Sequence, residues 1–325
     1  MKPLNMALLG AGRIAAKMAT TIGAMTSVKP YAVASRDAAR AKEFADTYGF
    51  AKSYGSYLEM VNDPDVDLVY VATPHSHHHI HATLCLEHGK HVLVEKTFTS
   101  DAPKAEAVIA LAREKKLLAA EAMWTRYMPF SKTIREIVDS GAIGKPAALN
   151  ANLGYTNAWR ERIQRPELAG GALLDLGVYP INFALMVFGT DIAEVTSVCT
   201  KLPTGTDAQN SIVISYIDNR VANLFTTSIA VTDRAGVVYG DKGYLVISNI
   251  NNPQWAQIFA PDWTPGEKFV CPQQITGYEY EVEAAVKAIH EGAVECPQMP
   301  HAETLRIMRM LDSLRAQWGI VFPEP

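Results

Sequence analysis

A glycine-rich turn near the start of the chain sets the strongest limit on its fold. Gly10-Ala11-Gly12-Arg13-Ile14-Ala15 reads G-x-G-x-x-A, with the apolar run Asn5–Leu9 before it and the helix-periodic segment Arg13–Ala24 after it. Gly10 permits the tight turn, Gly12 has no Cβ to hold a pyrophosphate away from the backbone, and small Ala15 lets helix and strand pack closely. The free N–H groups and positive dipole end of such a helix suit phosphate. The pattern therefore predicts a βαβ unit that binds a dinucleotide.

The rest of the first third agrees. Pro30–Ala34, Val66–Ala72, His91–Val94 and Leu117–Glu121 read as buried strands, and Asp37–Tyr48, Ser76–Glu87 and Pro103–Lys115 as helices. Asp37 fits an N-cap and Gly49 a helix stop. This alternation is that of a doubly wound parallel sheet. Beyond Trp124 the texture changes to alternating strands: Ala147–Leu153, Ala193–Thr200, Ser211–Asp218, Arg220–Ile229, Arg234–Tyr239 and Tyr244–Ser248, with a hairpin turn at Asp218-Asn219. Helices Tyr278–Glu291 and Ala302–Trp318 follow. The expectation is an α/β chain with two domains: residues 1–123, a Rossmann domain, and 124–325, an α+β domain with a large, mostly antiparallel open sheet for substrate and dimer contacts. A length of 325 residues suits two domains.

The end of the second strand selects the cofactor. An Asp or Glu there favours NAD, and this strand instead ends Ser35-Arg36, with Arg40 one helical turn on. A guanidinium pairs with a 2′-phosphate, so NADP is expected, with Asp37 leaving weak NAD use open. After the strand His91–Val94 come Glu95 and Lys96, where an open sheet places its ligands. An ammonium at Lys96 can hydrogen-bond a reacting hydroxyl and lower a neighbour's pKa.

The segment Gly170-Gly171-Ala172-Leu173-Leu174-Asp175-Leu176-Gly177-Val178-Tyr179 adds a more specific signal. Together with the glycine turn and Glu95-Lys96-Thr97, it resembles the glucose–fructose oxidoreductase/inositol dehydrogenase (Gfo/Idh/MocA) family. Glu121-Ala122-Met123-Trp124-Thr125-Arg126, Gly240-Asp241-Lys242-Gly243 and the ending Trp318–Pro323 resemble its dimeric dihydrodiol and NADP-dependent xylose dehydrogenase branch. The likeness covers essentially the whole chain, with Thr97 replacing the proline of the family's E-K-P. It implies reversible oxidation of a secondary alcohol in a cyclic polyol, pyranose sugar or trans-dihydrodiol. Tyr179 would be the general base, Lys96 would stabilise its phenolate, and Asp175 would orient the substrate or Lys96. A helix cap or structural ion pair is the alternative for Asp175. In Thr73-Pro74-His75-Ser76-His77-His78 the family spacing puts Thr73, Pro74 and His78 at the cofactor, beside Gly10, Ala11, Gly12, Arg13 and Ile14. Trp124 and Arg126 are expected at the substrate, and Tyr155, Trp159 and Trp255 either line the pocket or pack in a core. A sheet-to-sheet homodimer is also implied. The second reading is a non-catalytic NADP-binding regulator.

Other classes recede. Lys plus Arg number 30 and Asp plus Glu 34, a net charge of -4, so no global basic field draws nucleic acid or anionic lipid. The four cysteines are scattered and form no C-x-x-C pair, which fits reduced thiols in the cytoplasm. No run is expected to approach the ~20 apolar residues of a membrane span. His77 and His81 share a helix face, but no further ligand completes a metal set, so no metal is expected.

Overall fold

The computed structural model describes residues 2–323. In chain order the elements are β1 (Leu4–Leu9), α1 (Arg13–Gly23), β2 (Val28–Ala34), α2 (Ala38–Tyr48), β3 (Lys52–Tyr54), α3 (Tyr57–Val61), β4 (Leu68–Val71), α4 (His75–Glu87), β5 (His91–Glu95), α5 (Ala102–Lys115) and β6 (Ala119–Ala122). They continue with α6 (Pro129–Asp139), β7 (Pro146–Gly154), α7 (Glu161–Gln164), α8 (Val178–Phe188), β8 (Ile192–Lys201), β9 (Asp207–Tyr216), β10 (Val221–Thr227), β11 (Gly236–Gly240), β12 (Gly243–Ile247), β13 (Trp255–Phe259), β14 (Pro265–Val270), α9 (Glu279–His290) and α10 (His301–Gln317). The chain divides into two compact units. One holds the described residues up to Tyr127 with Gln274–Arg309, the other Met128–Gln273 with the described residues from Met310 on.

The first unit is built on a six-stranded sheet of order β3-β2-β1-β4-β5-β6, parallel at every pairing. A parallel sheet covered on both faces buries both sides of its strands, which explains the continuous apolar run of β4. α1 turns Ala15, Met18, Ala19 and Ile22 inward. Asp37 caps α2, its Oδ1 accepting from Ala39 N at 2.9 Å and Arg40 N at 3.2 Å. Gly49 ends the helix at φ 74°. The strand order reverses between β1 and β4, and the turns leaving those two strands flank the crevice.

The second unit carries an eight-stranded sheet of order β14-β13-β12-β11-β7-β10-β9-β8. Only β7 and β10 pair in parallel. Alternation fixes the faces: Leu149, Ala151, Ile212, Ile214, Ala222, Leu224, Val238 and Leu245 are buried, whereas Val198, Phe225 and Tyr239 are exposed. The expected hairpin is present, with Asn219 at φ 67°. β3, β13 and β14 were not anticipated: β3 has three residues, and β14 is mostly exposed and contains Pro265 and Gly266. One sequence expectation is overturned. Pro166–Phe188 is long and apolar enough to cross a membrane by length and composition, with mean hydropathy 1.6, but 89% of that stretch is buried inside the protein. Its apolar character serves the core.

A carboxylate ties down the edge of the first sheet. Asp63 accepts from Lys52 Nζ at 2.8 Å, Tyr54 OH at 2.6 Å, Tyr31 OH at 3.1 Å and the Asp65 amide at 3.0 Å. Burial raises its pKa, but these donors outweigh burial and hold it well below the usual carboxylate range. A lowered folded pKa contributes stability that is present above the unfolded value and lost as pH falls through the folded one. Asp63→Asn should cost about 1–3 kcal/mol at neutral pH. The gap between the urea midpoints of wild type and variant should begin to close below about pH 4 and narrow further as pH falls toward the lowered folded value.

Candidate active site

The nucleotide turn is built from backbone. Gly10 has φ 108°, and a Cβ there would lie 3.0 Å from the Ala72 carbonyl oxygen. Its amide bonds the Ala34 carbonyl at 2.9 Å. Gly12 is the N-cap of α1, with no side-chain cap and no acidic residue in the first turn. A Cβ on Gly12 would meet nothing within 4 Å. Open space over uncapped N–H groups fits a pyrophosphate. Arg13 is exposed and Ile14 half-buried. Arg40 donates to the Ala11 carbonyl through Nε at 3.1 Å and Nη2 at 2.8 Å, so it buttresses the turn from α2. Ser35 is buried, its hydroxyl accepting from the Asp37 amide at 3.3 Å. Arg36 is exposed and has no hydrogen bond or ion pair among the described residues. Its charge helps to lower the pKa of His77 and His81, after burial.

The next two turns are linked by His78. Its ring lies 2.8 Å from the Thr97 carbonyl on one side and 2.8 Å from the Thr73 carbonyl on the other. Burial pulls its pKa down to about 4 against those two carbonyls, so near pH 7 the ring is neutral and its single N–H donates to one of them. The Thr73 hydroxyl bonds His81 Nδ1 at 3.0 Å, and Pro74 caps α4. Among the described residues no group of three or more His, Cys, Asp or Glu is arranged to hold a metal. Lys96 is half-buried at the carboxyl end of β5. Groups around it fix its turn. The Tyr70 hydroxyl and the Lys96 amide, the latter at 3.2 Å, donate to Glu95. His78 meets Thr97, and the Phe98 amide donates to Glu121 at 3.1 Å. The Lys96–Thr97 peptide is cis.

In the second unit, Asp175 and Tyr179 lie on one helical segment, buried at 5% and 7% exposure. It opens with a π-helical stretch, Leu173–Gly177, and runs on into α8. Such widened turns recur at functional sites. Arg162 grips Asp175 with two bonds, of 2.8 and 3.1 Å, and Asn157 adds one at 3.1 Å. Asp207 caps the segment from β9: its carboxylate accepts from the Leu173 amide at 2.7 Å and Asn210 at 3.0 Å. Burial raises its pKa to about 6.

The expected substrate residues are divided between the two units. Trp124 stacks on Tyr278, centroids 4.2 Å apart, and Arg126 pairs with Glu303 at 3.4 Å; all four belong to the first unit. In the second, Tyr155 OH receives Arg234 and Asn251, each at 3.4 Å. Trp159 is 71% exposed, and Trp255 on β13 has Lys268 over its ring at 4.6 Å.

A doubly wound sheet with an acid-free, uncapped helix N-terminus at its crevice defines a nucleotide-binding α/β protein, and comparison with known proteins gives the rest. Residues 4–122 match the oxidoreductase family with the NAD-binding Rossmann fold, and 131–246 match the GFO/IDH/MocA C-terminal domain. The chain is 31% identical to the trans-1,2-dihydrobenzene-1,2-diol dehydrogenase of Xenopus tropicalis, over 97% of this chain and 98% of that one. It is 34% identical to the NADP(+) D-xylose 1-dehydrogenase of Hypocrea jecorina, over 90% and 84%. Among solved structures it is similar to a 3-ketoreductase of Actinomadura kijaniata held with TDP-benzene and NADP, at TM-score 0.88 and 27% identity over 97% of each chain. The chain belongs to the GFO/IDH/MocA oxidoreductase family and is an NAD(P)-dependent dehydrogenase.

Sequence reasoning passed over Tyr70, Glu121 and Asp207. A lone charge inside the buried strand Ala119–Ala122 could have exposed Glu121; the other two act across 25 and 34 positions of sequence and leave no local sign. Gly171 shows how tightly the Asp207 cap is built. It has φ 112°, and a Cβ there would sit 2.1 Å from Asp207 Oδ1. Gly171→Ala should cost more than about 2 kcal/mol in urea unfolding.

Proposed function

We propose that this dehydrogenase moves a hydride between NADP and a secondary alcohol or carbonyl carbon of a cyclic polyol, pyranose sugar or trans-dihydrodiol. Tyr179 is the general acid/base and Lys96 its helper. The observation that carries the reading is the setting of Lys96: half-buried at the carboxyl end of a parallel strand, in a turn fixed by buried side chains. The names of the dihydrodiol and xylose dehydrogenase relatives support the substrate class. The Actinomadura ketoreductase was also solved with a tyrosine changed to phenylalanine and with a lysine changed to alanine, the two residue types invoked here.

The backbone N–H groups after Gly10 and Gly12 would hold the pyrophosphate, and Arg36 the 2′-phosphate. Asp37 caps α2 through Oδ1, and its second oxygen leaves weak NAD use open. When bound, the cofactor would supply hydride as NADPH in reduction and accept it as NADP+ in oxidation. The Tyr179 hydroxyl gives the substrate oxygen its proton in reduction and takes that proton in oxidation. Tyrosine's ordinary pKa of about 10 makes phenolate costly, and the Lys96 ammonium lowers that cost. Asp175, paired with Arg162, holds the helical turn that leads to Tyr179.

The exposed apolar residues Val198, Phe225 and Tyr239 on one face of the second sheet support a homodimer through that face. Light scattering that returns a monomer at micromolar concentration would overturn it.

NADPH formation should appear with at least one member of a panel of aldoses and trans-dihydrodiols. Tyr179→Phe should lower kcat by about 10²–10⁴-fold with NADP affinity unchanged. Tight NADP binding without turnover on the whole panel would instead favour a regulator. Arg36→Ala should weaken NADP roughly 10–100-fold by titration calorimetry and leave NAD nearly unaffected.

A further inference from the structure

Glu121 is the only charged residue of β6, where its companions are Ala119, Ala120 and Ala122, and it is 2% exposed. A carboxyl at such a place is costly unless its oxygens are bonded. Both are: Oε1 accepts from the Phe98 amide at 3.1 Å and Oε2 from the Thr304 hydroxyl on α10 at 2.9 Å. Phe98 is two residues past Lys96 and is itself buried, so the bond fixes one end of the Lys96 turn.

We propose that Glu121 is a positioning residue for Lys96, its carboxylate holding the 96–98 turn so that the ammonium is presented in one place. The proposal rests on the reading of Lys96 as a catalytic group.

Burial pushes the Glu121 carboxyl up to about 7, against the Thr304 and Phe98 bonds and the charge of Arg126. The facing groups come from four elements. Glu95 on β5 raises the pKa further. In the turn after β6, Arg126 is paired with Glu303, and the Tyr127 hydroxyl donates to the Glu121 carbonyl at 2.8 Å. α10 brings Thr304 and Glu303, and α9 brings Glu281, whose charge Tyr127 feels as it does that of Glu121. A folded pKa above the unfolded value means that stability falls as pH rises from about 4 toward about 7 and levels off once the carboxyl is ionised in both states. A neutral amide would avoid that cost. The ionised form, however, makes the stronger, charge-assisted bond to the Phe98 amide. The residue is therefore suited to holding the turn and not to stabilising the fold.

The test compares Glu121→Gln, Glu121→Ala and Lys96→Met in the full chain. Glu121→Gln keeps the acceptor and removes the charge. It should melt no lower than wild type, with an advantage that grows as pH rises from about 4 to about 7 and levels off above, and bind NADP unchanged. Its kcat should fall roughly fivefold above about pH 7, and it should lack the inflection near pH 7 of the wild-type profile. Glu121→Ala should lose more. Wild-type kcat and an unaltered pH profile in Glu121→Gln, or a loss that only follows the folded fraction, would overturn the proposal. Turnover surviving in Lys96→Met would overturn the reading of Lys96 itself. A dead Lys96→Met beside a fully active Glu121→Gln would sink the Glu121 proposal alone.

Discussion

Helix N–H groups without partners are the constraint on which the first unit is organised. The first turn of α1 leaves donors that no side chain caps. Left bare they would weaken the helix, and offered to a phosphate they become a binding surface. Their neighbourhood serves that use: Gly10 lets the turn press against the Ala72 carbonyl, and Gly12 leaves open space. Arg40 fixes the Ala11 carbonyl from behind. The strand order does the remaining positioning, because only at the reversal between β1 and β4 do two neighbouring turns part to admit a ligand.

Around Lys96 the governing physics is polar satisfaction in a dry interior. Glu95, His78 and Glu121 each bond a backbone group of the turn, and in low dielectric such bonds hold geometry firmly. Glu281 is the contrast. It is fully buried, neither of its oxygens has a hydrogen-bond partner among the described residues, and burial followed by the charge of Glu95 pushes its carboxyl well above the usual range. The Asp207 cap repeats the principle in the second unit, where a buried carboxylate satisfies the start of the segment that leads to Asp175 and Tyr179.

The legible parts of the fold were those with local causes. The Asp37 cap, the Gly49 stop, the Gly10 turn and the Asn219 hairpin are each decided within a few residues, and each was read correctly. Pairing partners are not local: nothing in β7 or β10 alone announces that they run parallel. The strand β14 escaped because an edge need not alternate or avoid proline. Gln274–Arg309 returns to the first unit after a long excursion, which composition does not record. The candidate site divides in the same way. Glycines and end-of-strand residues are visible in sequence, whereas Tyr70, Glu121 and Asp207 acquire their roles only when distant segments meet.

The histidine-rich start of α4 looks at first like a sensor of acidity. Burial and neighbouring positive charge do the opposite. His78 and His81 are pulled down to about 4 and His77 is lowered as well. Through the ordinary cellular range His78 and His81 therefore stay neutral, so these two rings add no changing charge beside Arg36. They act as fixed dipoles and stacking plates, with His77 against His81 and His81 edge-on to Tyr57. A cluster that invites a proton thus becomes electrically quiet furniture beside the one guanidinium meant to be heard.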